Sequence, residues 1–284
     1  MPKHFVLLKR AGVRSRKSVD VPTEAHPHVY VQHDGEIARL VIDRPEKRNA
    51  VCLSMWRAIP PLIDKVDSDP AIKVLIVQGV DDSAFAAGAD IDEIEQHAGS
   101  EELAWTFMDA VHAAETALGG CAKPVIAMIR GACIGGGVEL ALACDLRFAQ
   151  AGSRFGIPAA KLGVVYSLSS TARLVQLVGP GRARDYLFSG RLFDSVEARA
   201  SGLIDREIPA DVIVEQTQAY AETLCRRSQW SIRAAKAVIR AAIASEQSEN
   251  DEVRRWRGGS FLGPDLREGV RAFHERRAAV FPWR

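Results

Sequence analysis

The chain has 284 residues, 47% hydrophobic and 26% charged, with a net charge of +1. This is the make-up of a globular protein long enough to bury a sizeable core. It excludes nucleic-acid binding driven by bulk charge, and no apolar run approaches the ~18 residues of a membrane span.

Residues 1–19 carry Lys3, Lys9, Arg10, Arg14, Arg16 and Lys17 and no acid. With the Pro-flanked His26 and His28, residues 1–28 read as a mobile basic tail, or alternatively as an organelle transit segment. From Glu36 the pattern is regular. Alternation predicts a strand over 37–42, stopped by Asp43-Arg44-Pro45. A helix follows over 54–66, with Pro60-Pro61 expected to break or kink it. KVLIVQG (73–79) is a buried strand, 81–88 a loop, and 91–97 and 101–118 are helices. Strands at 125–129 and 145–149 bracket a glycine-opened helix. Strands alternating with helices imply βαβ units and a mainly parallel sheet. After about 165 the chain turns helical, over 170–177, 182–188, 195–201, 212–225, 231–245 and 265–279.

The five cysteines, Cys52, Cys121, Cys133, Cys144 and Cys225, are odd in number and scattered, without C-x-x-C spacing. They read as free thiols of a cytoplasmic protein, not as a disulfide frame or a metal site. His97 and His112 read as structural.

The chemistry concentrates in GACIGGGVELALACD (131–145). Gly135, Gly136 and Gly137 let a ligand approach the backbone with no Cβ in the way. They also open a helix, whose unpaired N–H groups carry roughly half a positive charge. Such a start cradles developing negative charge, and Glu139 beside it is placed to move a proton. The alternative is a tight strand-to-helix turn whose glutamate serves only the helix dipole. AFAAGADIDEI (84–94) supplies a second small-residue turn, Ala87-Gly88-Ala89. Two N–H groups aimed at one oxygen are what an enolate or a tetrahedral oxyanion needs.

DRPEKRNA (43–50), AFAAGADIDEI and GACIGGGVELALACD, in this order, resemble the crotonase family of enoyl-CoA hydratases/isomerases. The likeness continues through RFGIPAAKLGVV (154–165), LVGPGRARDYLFSGRLFDSVEARASGLIDREIP (177–209) and EGVRAFHERRAAVF (268–281), covering residues 29–281. The resemblance implies an α/β fold: a crotonase-like ββα spiral core over 29–210, and a C-terminal helical trimerisation region over 211–284. It implies homotrimers or hexamers, an acyl-CoA substrate of fatty acid metabolism, and no cofactor beyond the coenzyme A of that substrate. By motif position the amides of Ala89 and Gly136 form the oxyanion hole. Arg44, Glu46, Lys47, Arg48, Ala50, Ala87, Gly88 and Asp90 contact CoA. Phe273, Arg276 and Arg277 reach its phosphates, possibly across a subunit boundary; a solvated helix face is the other reading of the two arginines. Trp105, Phe107 and Met108 line the acyl pocket or are plain core.

Two departures matter. Many members carry lysine where this chain has Asp92. The family's hydratases also use a second glutamate in F-G-x-P-E, which here reads Phe155-Gly156-Ile157-Pro158-Ala159. A methyl group moves no proton, so a general acid–base contribution of about 10²–10⁴-fold is missing from hydration. Tyr166 stands where many hydratases have proline, a pattern similar to methylmalonyl-CoA decarboxylase. There a neutral hydroxyl suffices to protonate the enolate; that enzyme's histidine beside the first turn is Ala89 here. Three readings follow: a hydratase/isomerase with Glu139 as its one acid/base, a decarboxylase using Tyr166, and a non-catalytic acyl-CoA binder. A wall of the acyl pocket is the plain reading of Tyr166, and Lys161 is expected to face solvent.

Overall fold

The structure is a computed structural model that describes residues 26–244 and 249–282. Of the basic segment expected as a tail, residues 1–25 lie outside the described residues.

In chain order the elements are β1 (Val29–Asp34), β2 (Ile37–Ile42), α1 (Leu53–Ser68), β3 (Val74–Gly79), β4 (Ala84–Ala86), α2 (Ile91–His97), α3 (Glu101–Gly120), β5 (Val125–Ile129), β6 (Ala132–Ile134), α4 (Gly136–Ala143), β7 (Leu146–Gln150), β8 (Arg154–Gly156), α5 (Ala159–Leu162), α6 (Leu168–Ser189), β9 (Leu192–Asp194), α7 (Ser195–Ser201), β10 (Arg206–Ile208), α8 (Ile213–Cys225), α9 (Gln229–Ile243), α10 (Asp251–Leu262) and α11 (Pro264–Glu275). A six-stranded sheet runs β1-β2-β3-β5-β7-β10, parallel except for the β1–β2 pair. A four-stranded sheet runs β4-β6-β8-β9, with only β8–β9 antiparallel. Three times the chain leaves a strand of the large sheet, turns within a few residues into a strand of the small one, and then enters helix. This is the ββα spiral that the resemblance implies.

Side chains alternate across a strand, so a sheet covered on both sides is apolar at every position. In β3, Leu75 and Val77 face a core shared with Trp56, Phe85, Leu118 and Phe155. Val74 and Ile76 face a second core with Met128, Phe148 and α8 residues Ile213, Ala221 and Cys225. The five cysteines are all buried free thiols. Among the described residues, no helix is long and apolar enough to cross a membrane.

Several expectations change. Helix α1 runs unbroken through Pro60 and Pro61. Both prolines avoid the fully buried face made by Met55, Trp56, Ile59, Leu62, Ile63 and Val66, and that packing overrides their low propensity. The expected loop 81–88 contains β4. The predicted helices 170–177 and 182–188 lie within α6, interrupted at Gly179 (φ 75°, ψ 162°). The last helix stops at Glu275 because Arg276 adopts a left-handed conformation, not at 279. Strand β1, the three-residue strands β6, β8, β9 and β10, the four-residue helix α5 and the polar helix α10 were not expected. Three residues are too few to show a period, and RRWRGGS in α10 shows no apolar stripe.

Candidate active site

The first turn is built by the loop before α1. Asn49, buried and at φ 58°, accepts from the Arg44 N–H at 2.9 Å and donates through Nδ2 to Ala84 O at 2.6 Å. Backbone bonds then tie the loop to the turn: Ala87 N to Arg48 O (3.0 Å), Val51 N to Gly88 O (2.8 Å) and Asp90 N to Val51 O (3.1 Å). Arg44 donates to Ala50 O (3.1 Å) and to Asp90 Oδ2 (2.6 Å) and lies 3.7 Å from Glu46. Asp90 caps α2, accepting from Asp92 N at 3.1 Å. Burial alone would raise the Asp90 carboxyl, but the Arg44 guanidinium and the Asp92 amide outweigh it and hold it below its ordinary value. Lys47, a candidate CoA contact, pairs with Asp92 at 2.7 Å. The structure thus brings together residues 44–50 and 87–90, with Glu46 exposed and Arg48 left-handed beyond the short 3-10 turn Pro45–Lys47.

The second turn packs directly against the first. A Cβ built on Gly136 would stand 3.2 Å from Ala89 N and 3.0 Å from Cζ2 of buried Trp56. On Gly137 it would stand 2.2 Å from Ala86 O, a separation no side chain tolerates. Gly137 is therefore required by close approach of two backbones, Gly136 sits tightly against the first turn, and Gly135 is favoured by its φ of 51°. Neither Ala89 N nor Gly136 N donates a hydrogen bond to the protein among the described residues.

Glu139 lies in the first turn of α4, as the sequence places it. Its carboxylate has no hydrogen bond or ion pair among the described residues. Burial, and secondarily the charge of Glu115, push its pKa up to about 8. Glu115 was missed by sequence reasoning. It is fully buried on α3 and accepts from Ser167 Oγ (3.1 Å), Ser169 Oγ (2.8 Å) and Ser170 Oγ (2.8 Å). The available signal was an acid on the apolar stripe Val111, Ala114, Leu118, followed far along the chain by Ser167-Leu168-Ser169-Ser170. The Tyr166 hydroxyl donates to Gly135 O at 2.6 Å. Burial and the neighbouring Glu139 raise its pKa well above that of free tyrosine. Ala159 is the buried first residue of α5.

Within one chain the remaining candidates stand apart from these turns. Phe273 is exposed on α11 with His274 against its ring, and Arg276 follows as the left-handed cap. Arg277 pairs with Glu268 and Glu275. Among the described residues, none of their ion pairs or hydrogen bonds reaches residues 44–50 or 87–90. A cavity of about 820 Å³ lies elsewhere, between residues 225–228 and 278–281, and none of the candidate residues lines it.

A parallel ββα spiral whose glycine turns meet beside a half-buried carboxylate, one without a partner among the described residues, is the crotonase type of α/β fold. The family model for enoyl-CoA hydratase/isomerase matches residues 32–283, and the chain belongs to that family. It is 34% identical over 261 residues to the probable enoyl-CoA hydratase echA8 of Mycobacterium tuberculosis, covering 90% of this chain and 98% of that one. It is 30% identical over 261 residues to a peroxisomal Delta(3,5)-Delta(2,4)-dienoyl-CoA isomerase of Arabidopsis thaliana, covering 87% and 93%. Among solved structures, a putative enoyl-CoA hydratase/isomerase family protein from Hyphomonas neptunium aligns with a TM-score of 0.87 at 40% identity, covering 90% of this chain and 98% of the other.

Proposed function

We propose that the protein acts on acyl-CoA thioesters through a CoA enolate, as an enoyl-CoA hydratase/isomerase-type enzyme with Glu139 as its single carboxylate acid/base. The observation that carries this reading is the contact of the two turns. Two amides without protein acceptors, Ala89 N and Gly136 N, lie on backbones that touch, beside a carboxylate without a partner. In the proposed complex the thioester oxygen accepts from both amides. That concentrates the enolate's charge on an oxygen held by fixed donors, each contributing about 3–4 kcal/mol to barrier lowering.

Glu139 in its ionised form takes a proton from the substrate carbon chain and becomes the neutral acid. It then returns the proton at another carbon, which moves the double bond. A pKa of about 8 suits both halves of that exchange near neutral pH. Ala159 offers no second carboxylate to hold water, so the isomerase side of the pair is the better supported. The Tyr166 hydroxyl already has an acceptor in Gly135 O, which counts against the decarboxylase reading. CoA is bound along residues 44–50 and 87–90, with Phe273 and Arg276 contributed across a trimer or hexamer interface. The proposed reaction uses no cofactor beyond the CoA of its substrate, and the proposed compartment is the cytoplasm.

The test is a panel of crotonyl-CoA, a 3-enoyl-CoA and methylmalonyl-CoA with the wild type and Glu139→Gln. The expected outcome is turnover of an enoyl-CoA that falls about 10²–10⁴-fold in Glu139→Gln. Turnover unaffected by Glu139→Gln sinks the single-base mechanism. Tight binding with no turnover of any of them leaves a binding protein.

A further inference from the structure

We infer that Tyr166 is a positioning residue that aims the Gly136 amide, and that the Glu115–serine cluster clamps the segment carrying it. This rests on the oxyanion reading above and adds what holds one of its two donors in place. A peptide unit is planar, so the carbonyl of Gly135 and the N–H of Gly136 are two ends of one rigid group. A hydrogen bond that fixes the oxygen end therefore fixes the direction of the N–H. Tyr166 makes that bond at 2.6 Å, from outside the helix that Gly135 O opens through its bonds to Val138 N (2.8 Å) and Glu139 N (3.2 Å). Three successive glycines have the greatest backbone freedom of any such run, so a tether from another segment restricts them most. An additional donor on the carbonyl also polarises the N–H at the far end of the same peptide.

The tether needs an anchor of its own. Residues 161–165 before Tyr166 are exposed, Val165 at 93%. Immediately after it, Ser167 caps α6, accepting from Ser170 N at 3.1 Å. Ser167, Ser169 and Ser170 all donate to the one buried carboxylate of Glu115 on α3. Helix α3 thus grips the start of α6, and Tyr166, one residue upstream, reaches from that grip to the second turn. The arrangement leaves Glu139 as the group that moves protons and gives Tyr166 a share in the reaction without contact to the reacting carbon.

The test uses the full-length protein with butyryl-CoA labelled with ¹³C at the thioester carbonyl, read by difference infrared spectroscopy. In the wild type the bound carbonyl stretch falls below that of free butyryl-CoA, the mark of a polarised carbonyl. In Tyr166→Phe, which keeps the ring, about half of that fall should be lost. Enoyl-CoA turnover should drop about 3–10-fold at nearly unchanged KM, the size of one neutral hydrogen bond. Glu115→Gln, which retains acceptor capacity at one oxygen, should show a smaller loss in the same direction, with thermal melting to confirm that both variants fold. The full wild-type shift retained in Tyr166→Phe overturns the inference. So does a turnover loss beyond about 10³-fold with the shift intact, which would make the hydroxyl a proton donor. No shift in the wild type overturns the oxyanion reading itself, and this inference with it.

Discussion

Asp90 and Glu139 occupy matching places on the two turns that meet, one capping α2 and the other in the first turn of α4, yet their surroundings drive them in opposite directions. Asp90 is 5% exposed, and the Arg44 guanidinium and Asp92 amide still hold its carboxyl ionised. Glu139 has neither, and burial plus the charge of Glu115 moves it to about 8. A buried carboxylate with partners is a fastener. One without them holds its proton near neutral pH and is free to pass it on. The turns themselves differ in the same sense. The first is held by an ion pair and three loop-to-turn backbone bonds, the second by close glycine contact, one backbone bond from Gly135 N to Gly156 O (2.9 Å) and the Tyr166 hydroxyl.

The contrast is broken most severely by neutralising the unpartnered acid, since Glu139→Gln removes the proposed proton carrier and should cost about 10²–10⁴-fold in enoyl-CoA turnover. Neutralising the fastener should act on stability instead. Asp90→Asn strands the Arg44 guanidinium and should cost about 1–3 kcal/mol in urea unfolding at pH 7. Because the folded Asp90 pKa is depressed, the wild type has this contribution above the ordinary value of 3.8 and loses it as pH falls through the folded pKa. The Asp90→Asn deficit should therefore shrink in acid. The pH effect at Glu139 has the opposite sign. Between about pH 4.5 and pH 8 the folded wild type keeps the Glu139 proton while the unfolded chain releases it, so stability falls as pH rises across that window. Glu139→Gln escapes this loss, and its melting temperature should gain on the wild type from pH 5 to pH 8 and stay level above.

What was legible in the sequence follows from range. Gly135–Gly136–Gly137 with Glu139 is local, and so was readable as a cradle beside an acid. The meeting of that cradle with residues 87–89 depends on β4 and β6 pairing as neighbours, and a three-residue strand hidden in an expected loop carries no period to announce it. Asn49 sat inside a recognised motif, but its role depends on Ala84, 35 residues on. Glu115 was the hardest. An acid on a buried stripe looks like an error in the pattern until its three hydroxyl donors, more than 50 residues away, are seen in place. Pro60 and Pro61 misled in the other direction, because packing of α1 outweighed local preference.

The central claim is that the Ala89 and Gly136 amides and Glu139 together make a thioester α-carbon acidic. Solvent exchange of the α-protons of butyryl-CoA in D₂O, followed by proton NMR, reads enolate formation without regard to which enoyl-CoA is the true substrate. Exchange should rise with pH, level above about pH 8 as Glu139 ionises, and fall at least about 10²-fold in Glu139→Gln. Butyryl-CoA that binds without exchanging, or exchanges as fast in Glu139→Gln as in the wild type, would contradict it.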